Sequence, residues 1–270
     1  MGIYENLVLY CLLGAFAGTV AGLLGVGGGL IIVPSLIAIW QSSGLETSYQ
    51  MQLAIGTSLA TIVLTSLSSV RAHHKRGGVQ WDIFWRLTPG ILLGTWLGAF
   101  LATRLHGDIL KNIFGVFEIL VAMQMAFSVR PTPHRVLPGF IGMSTAGTVI
   151  GSVSAIIGIG GGTMTVPFLT WCNVVIHRAV GTSAACGLPI AIGGALSYFA
   201  LGLDRTDLPE WSAGFVYGPA LAGVAVTSVV FAPLGALLAH RLSTTLLKRV
   251  FAGFLALLGI WMLSANFQSG

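Results

Sequence analysis

Forty consecutive residues, 6–45, carry no Asp, Glu, Lys or Arg, and neither do the forty-two of 136–177. Shorter uncharged runs cover 47–70, 87–103, 119–129, 179–203, 211–240 and 250–270. A helix that crosses a bilayer needs about 20 apolar residues. Most runs hold one such helix, and 211–240 holds a long or tilted one. The two longest each hold two helical segments. Only 8% of the chain is charged, where soluble domains carry roughly 25%. A soluble globule of this length is excluded, and an all-α integral membrane protein is expected. The net charge of +5 serves to orient the chain in the bilayer, and no nucleic-acid partner is expected.

Both long runs contain a glycine cluster, and the two clusters are copies. GTVAGLLGVGGGLIIVPSL (Gly18–Leu36) aligns without gaps on GSVSAIIGIGGGTMTVPFL (Gly151–Leu169), nine of nineteen positions being identical. Gly25, Gly27, Gly28, Gly29 and Pro34 fall on Gly158, Gly160, Gly161, Gly162 and Pro167. Ala54–Ser58 (AIGTS) then matches Ala179–Ser183 (AVGTS), and LGAFLATRL (Leu97–Leu105) matches LGALLAHRL (Leu234–Leu242). Three blocks recurring in one order mark a duplication. The halves are 1–130 and 131–270.

Charge decides how the halves are oriented. If each glycine block is a hairpin returning to its own side, each half crosses the membrane an odd number of times. The halves are then inverted, and ten of the thirteen basic residues lie inside, among them those of the loop RAHHKRGGVQWD (Arg71–Asp82). If each block is a single broken crossing, the split falls to seven against six. The positive-inside rule favours inversion. The expected fold is two inverted repeats, each a glycine-rich helical hairpin plus three transmembrane helices. Those helices are expected near 51–70, 84–104 and 110–128, then 180–201, 213–238 and 246–266. The acidic loop Gly202–Trp211 and Glu46 fall outside, with both termini. No cleaved leader is read at the start.

Irregular backbone at membrane depth survives only where it is buried in protein or lines a polar cavity. A Gly-Gly-Gly turn leaves its N–H groups uncovered. It also precedes a helix, from Ile31 or Thr163 onward, whose first N–H groups are unpaired and carry partial positive charge. That suits an anion, and two such turns brought together by inverted symmetry point to a transporter site. The hydroxyls of Thr57, Ser58, Thr182 and Ser183 are further candidate donors, with helix–helix bonding the competing role. Gly14, Gly18, Gly94, Gly98, Gly193 and Gly235 read as packing positions.

Glu118 is the mid-span acid, with Leu255 as its repeat counterpart. It is a candidate for coupling to a proton or cation, or a bond to a neighbouring helix. Cys11, Cys172 and Cys186 have no metal or redox spacing, and no phosphate-binding lysine accompanies the glycines. No metal, cofactor or enzymatic activity is expected.

The paired motifs GLLGVGGGLIIVPSL and IIGIGGGTMTVPFL, each followed by A-[IV]-G-T-S, resemble the TauE/SafE sulfite-exporter family of bacterial and archaeal membrane proteins. The resemblance covers nearly the whole chain. It implies a secondary transporter of small sulfur-containing anions such as sulfite, sulfoacetate or thiosulfate, often acting in export from the cytoplasm across the inner membrane. A passive channel for the same anions is the alternative.

Overall fold

The computed structural model describes residues 3–24, 28–45, 47–127, 136–239 and 244–264. Ten helices run through them. The first five are α1 (Ile3–Leu24), α2 (Gly29–Ser43), α3 (Gln50–Lys75), α4 (Trp81–Arg104) and α5 (Gly107–Ala126). The second five are α6 (Phe140–Ile157), α7 (Gly162–Trp171), α8 (Ile176–Gly202), α9 (Gly218–Ala239) and α10 (Thr244–Ser264). Six helices, α1, α3, α5, α6, α8 and α9, are long and apolar enough to cross a membrane. α4, 24 residues long, and α10, both expected as spans, are not among these six; the face α4 turns to α6 carries Gly90, Gly94 and Gly98. The boundary near residue 130 lies outside the described residues.

The arms after the glycine clusters are short. α2 has 15 residues and α7 has 10, both under the length a span needs. Two expected boundaries move by five residues: α3 runs on to Lys75, so that only 76–80 of the expected Arg71–Asp82 loop lie outside helices. The helix placed over 213–238 begins only at Gly218. Residues 212–217 instead form a two-stranded hairpin, β1 (Ser212–Ala213) and β2 (Val216–Tyr217). Gly214 turns it with φ 56°, and the Phe215 N–H donates to the Tyr198 carbonyl. The apolar residues of this segment read as helix but serve to pack the hairpin.

The helices pair in a pattern that exchanging the halves preserves. α1 packs along α9, with Gly14 on Val224 and Gly18 on Ser228. α6 packs along α4, with Gly147 on Leu87 and Gly151 on Ile91. Each residue of the first set has its repeat counterpart in the second. Both pairs run parallel, and their glycines let the backbones touch. Gly98 on Ser152 and Gly235 on Thr19 extend the same two seams.

The central pairs join equivalent helices. Gly56 meets Tyr198 and Gly194 meets Leu59, so α3 and α8 run antiparallel. Gly115 meets Leu263 and Gly259 meets Ile119, so α5 and α10 do too. The Thr47 hydroxyl donates to the Asp207 carbonyl at 3.2 Å, which brings the loop before α3 to the loop after α8. At another edge of the fold, Gly78 lies against Gly181 near the start of α8.

Candidate functional site

α6 ends at Gly158, which takes the left-handed conformation (φ 79°) that glycine accepts without strain. Its N–H and that of Ile159 both return to the Ser154 carbonyl, at 2.8 and 3.1 Å. Three residues later α7 starts. Gly161 is its N-cap (φ −63°, ψ −15°), and Gly28 caps α2 in nearly the same conformation (φ −79°, ψ −10°). Neither helix has a side-chain cap. The first N–H groups of both therefore have no side-chain cap among the described residues, and at membrane depth each unmade bond costs several kcal/mol.

The two breaks touch. Gly29, the first residue of α2, lies against the Gly158 carbonyl and the Cα of Ile159, and a side chain there would overlap the oxygen. The Ser58 hydroxyl, from α3, donates to the same carbonyl at 2.9 Å. On the other side, Gly161 rests on α8. A Cβ there would stand 3.0 Å from the Ser183 carbonyl oxygen and 3.2 Å from the Gly187 nitrogen. Gly160 faces Ile62, and Thr163 follows Gly162 in the first turn of α7. Pro34 and Pro167 lie inside α2 and α7. Lacking an N–H, they leave the Leu30 and Thr163 carbonyls without their helical partner. Gly25 and Gly27 lie outside the described residues.

The Gly-Thr-Ser motifs divide their work. Gly56 makes room for the Phe215 carbonyl and Gly181 for the Gly78 carbonyl. Thr57 then accepts the Tyr217 N–H at 2.9 Å, and Thr182 accepts the Gln80 N–H at 2.9 Å. The Thr57 hydroxyl donates to the Leu53 carbonyl, so its hydrogen is committed within the protein. Each motif thus clips the extended segment that leads into α9 or α4. The serines differ: Ser58 is bonded to Gly158, whereas the buried Ser183 hydroxyl has no partner among the described residues.

Glu118 is fully buried on α5, and neither carboxylate oxygen has a partner among the described residues. It stands against α10, its Cβ 3.2 Å from where one on Gly259 would be.

Gln80, Tyr217, Gly187, Ser66 and Thr165 were not singled out by the sequence. Gln80 and Tyr217 act through their backbones, so only their equal spacing from the repeat blocks marks them. An aromatic cluster also closes on Tyr217. Trp40 Nε1 donates to the Tyr10 hydroxyl at 2.9 Å, and both rings meet Tyr217 edge to face.

Residues 10–262 match the family model described as "Sulfite exporter TauE/SafE". A probable membrane transporter protein of Haemophilus influenzae is 38% identical over 259 residues, covering 94% of this chain and 97% of its own. Another from Methanocaldococcus jannaschii is 28% identical over 265 residues, covering 95% of each. The probable membrane transporter protein YunE of Bacillus subtilis is 31% identical over 182 residues, covering 60% of this chain and 66% of its own.

Proposed function

The chain belongs to the TauE/SafE sulfite exporter family of membrane transporters, and on that premise we propose that it moves small sulfur-containing anions across a prokaryotic inner membrane. Sulfite, thiosulfate and sulfoacetate are the substrate class, and export coupled to a proton or cation is the mode. One observation carries the reading: the uncapped start of α2 meets the second break where Gly29 lies on Gly158, the C-cap of α6, three positions before the N-cap of α7. Uncovered N–H groups and oriented helix dipoles there would bind an oxyanion. Contact between two duplicated breaks is the arrangement that alternating-access transporters use.

Inversion of the halves is part of the proposal. The antiparallel packing of α3 on α8 and of α5 on α10 supports it, because equivalent helices oppose each other in inverted repeats. The repeats are assigned to 1–130 and 131–270. The loop before α3 lies with the acidic loop 203–211 on the outer side, together with both termini, and the segment 76–80 between α3 and α4 faces the cytoplasm. Glu118 is the proposed coupling residue. An ionised carboxylate in its surroundings would require a cation or donors, and protonation would remove that requirement.

The test is flux. Purified protein in liposomes should move labelled sulfite or thiosulfate saturably, and an imposed pH gradient should change the rate. No saturable flux of sulfite, thiosulfate or sulfoacetate in either direction would overturn the proposal.

A further inference from the structure

The two breaks match in backbone but not in what surrounds them. At the first break the positions after the glycines are Leu30 and Ile32, both buried. Their repeat counterparts at the second break are Thr163 and Thr165. On the long helices, Ile62 of α3 is replaced by Gly187 of α8, and Ala191 of α8 corresponds to Ser66 of α3. At three of these pairs, Leu30/Thr163, Ile32/Thr165 and Ala191/Ser66, one partner carries a hydroxyl where the other has a hydrocarbon.

The hydroxyls are unsatisfied. Thr163 Oγ1, Thr165 Oγ1 and Ser183 Oγ are buried with no hydrogen-bond partner among the described residues, Thr165 being 0% and Ser183 1% exposed. Buried hydroxyls are nearly always bonded. Ser183 stands one turn before Gly187 on the same face of α8, and Gly161 lies across the two. At Gly187 a Cβ would find the Ser66 hydroxyl at 3.5 Å and the Gly161 nitrogen at 3.6 Å. A hydroxyl from α3 and the uncapped start of α7 thus converge beside a glycine.

We propose that the anion binds at the second break alone, to the N–H groups of Gly161 and Gly162 with the hydroxyls of Thr163, Thr165, Ser183 and Ser66, beside Gly187. The first break supplies the opposing wall and is an apolar plug. This rests on the anion reading above and narrows it. A sulfur oxyanion offers three oxygens that accept hydrogen bonds, and this site offers donors without a fixed positive charge.

Full-length protein in nanodiscs, titrated calorimetrically with sodium sulfite and with thiosulfate, tests the assignment. Thr165→Val and Ser183→Ala each remove one donor and should weaken binding about tenfold or more, the usual effect of a lost bond to a charged ligand. Ile32→Val, at the equivalent position of the first break, should leave binding unchanged. Gly187→Ile should abolish binding and Gly187→Ala should retain it, since only ordinary contacts await a methyl group there. Thr165→Val and Ser183→Ala remove unsatisfied atoms, so they remain informative if Gly187→Ile fails to fold. Wild-type binding that survives both donor variants would overturn the single-break site and leave the anion reading standing. Binding lost equally in Ile32→Val would do the same. A wild-type protein that binds neither anion would overturn both.

Discussion

The Tyr217 N–H donates to the Thr57 hydroxyl at 2.9 Å, across 160 residues of sequence. Its repeat counterpart is the bond from the Gln80 N–H to Thr182, also 2.9 Å. The two clips fasten the entries of α9 and α4 to the long helix of the opposite half. They recast the threonines of the Gly-Thr-Ser motifs as fasteners. Thr57→Val keeps the shape and leaves the buried Tyr217 N–H without its acceptor. Stability in detergent should fall by about 1–3 kcal/mol, while Thr57→Ser should be near wild type. Equilibrium unfolding in a denaturing detergent reads both variants.

The contact between the breaks gives a second prediction. Gly29→Ala places a methyl group on the Gly158 carbonyl and must push α2 away from the second break. Transport should be lost and unfolding should come earlier. Gly253→Ala, where nothing lies within 4 Å, should stay within about 0.5 kcal/mol of wild type, as surface substitutions do. Flux and unfolding measured on the pair separate loss of the contact from a general intolerance of alanine.

Glu118 carries a third. Its carboxyl is buried on α5 without a partner among the described residues, and its counterpart in the other half is the buried Leu255. Glu118→Leu should fold as well as wild type or better, because it removes a polar group whose burial costs about 1–3 kcal/mol. Glu118→Gln keeps the shape and cannot exchange a proton. Both should lose the response of flux to an imposed pH gradient. A preserved response in Glu118→Gln removes this residue from coupling.

Orientation of the halves can be read by labelling. In a background where Cys11, Cys172 and Cys186 are replaced, single cysteines at the exposed positions Lys75 and Asp207 follow the ends of α3 and α8. An impermeant thiol reagent added to intact cells should modify the cysteine at 207 and spare that at 75. Equal labelling of both would place the two ends on one side and contradict inversion.

Much of the helix order was legible because duplication and lack of charge are properties of sequence. The two helical segments read in each of the runs 6–45 and 136–177 correspond to α1 and α2, and to α6 and α7. Gly14, Gly18, Gly94, Gly98 and Gly235 take the packing places read for them. The start of α9 was misread because Val216 and Tyr217 are apolar, and hydropathy does not distinguish a buried hairpin from a helix. The clips escaped notice because a backbone N–H leaves no trace in residue type. The difference between the breaks depends on Ser66 and Gly187, which reach the turn from other helices. Their pairing with Ala191 and Ile62 becomes informative only once α3 and α8 are seen on either side of Gly161.

The most direct measurement is an experimental structure of the protein in nanodiscs with saturating thiosulfate. The expected result is density for one anion at the second break, within hydrogen-bond distance of the Gly161 and Gly162 nitrogens. Density confined to another part of the bundle, or empty breaks at a concentration that saturates flux, would contradict an anion site built from the paired glycine turns.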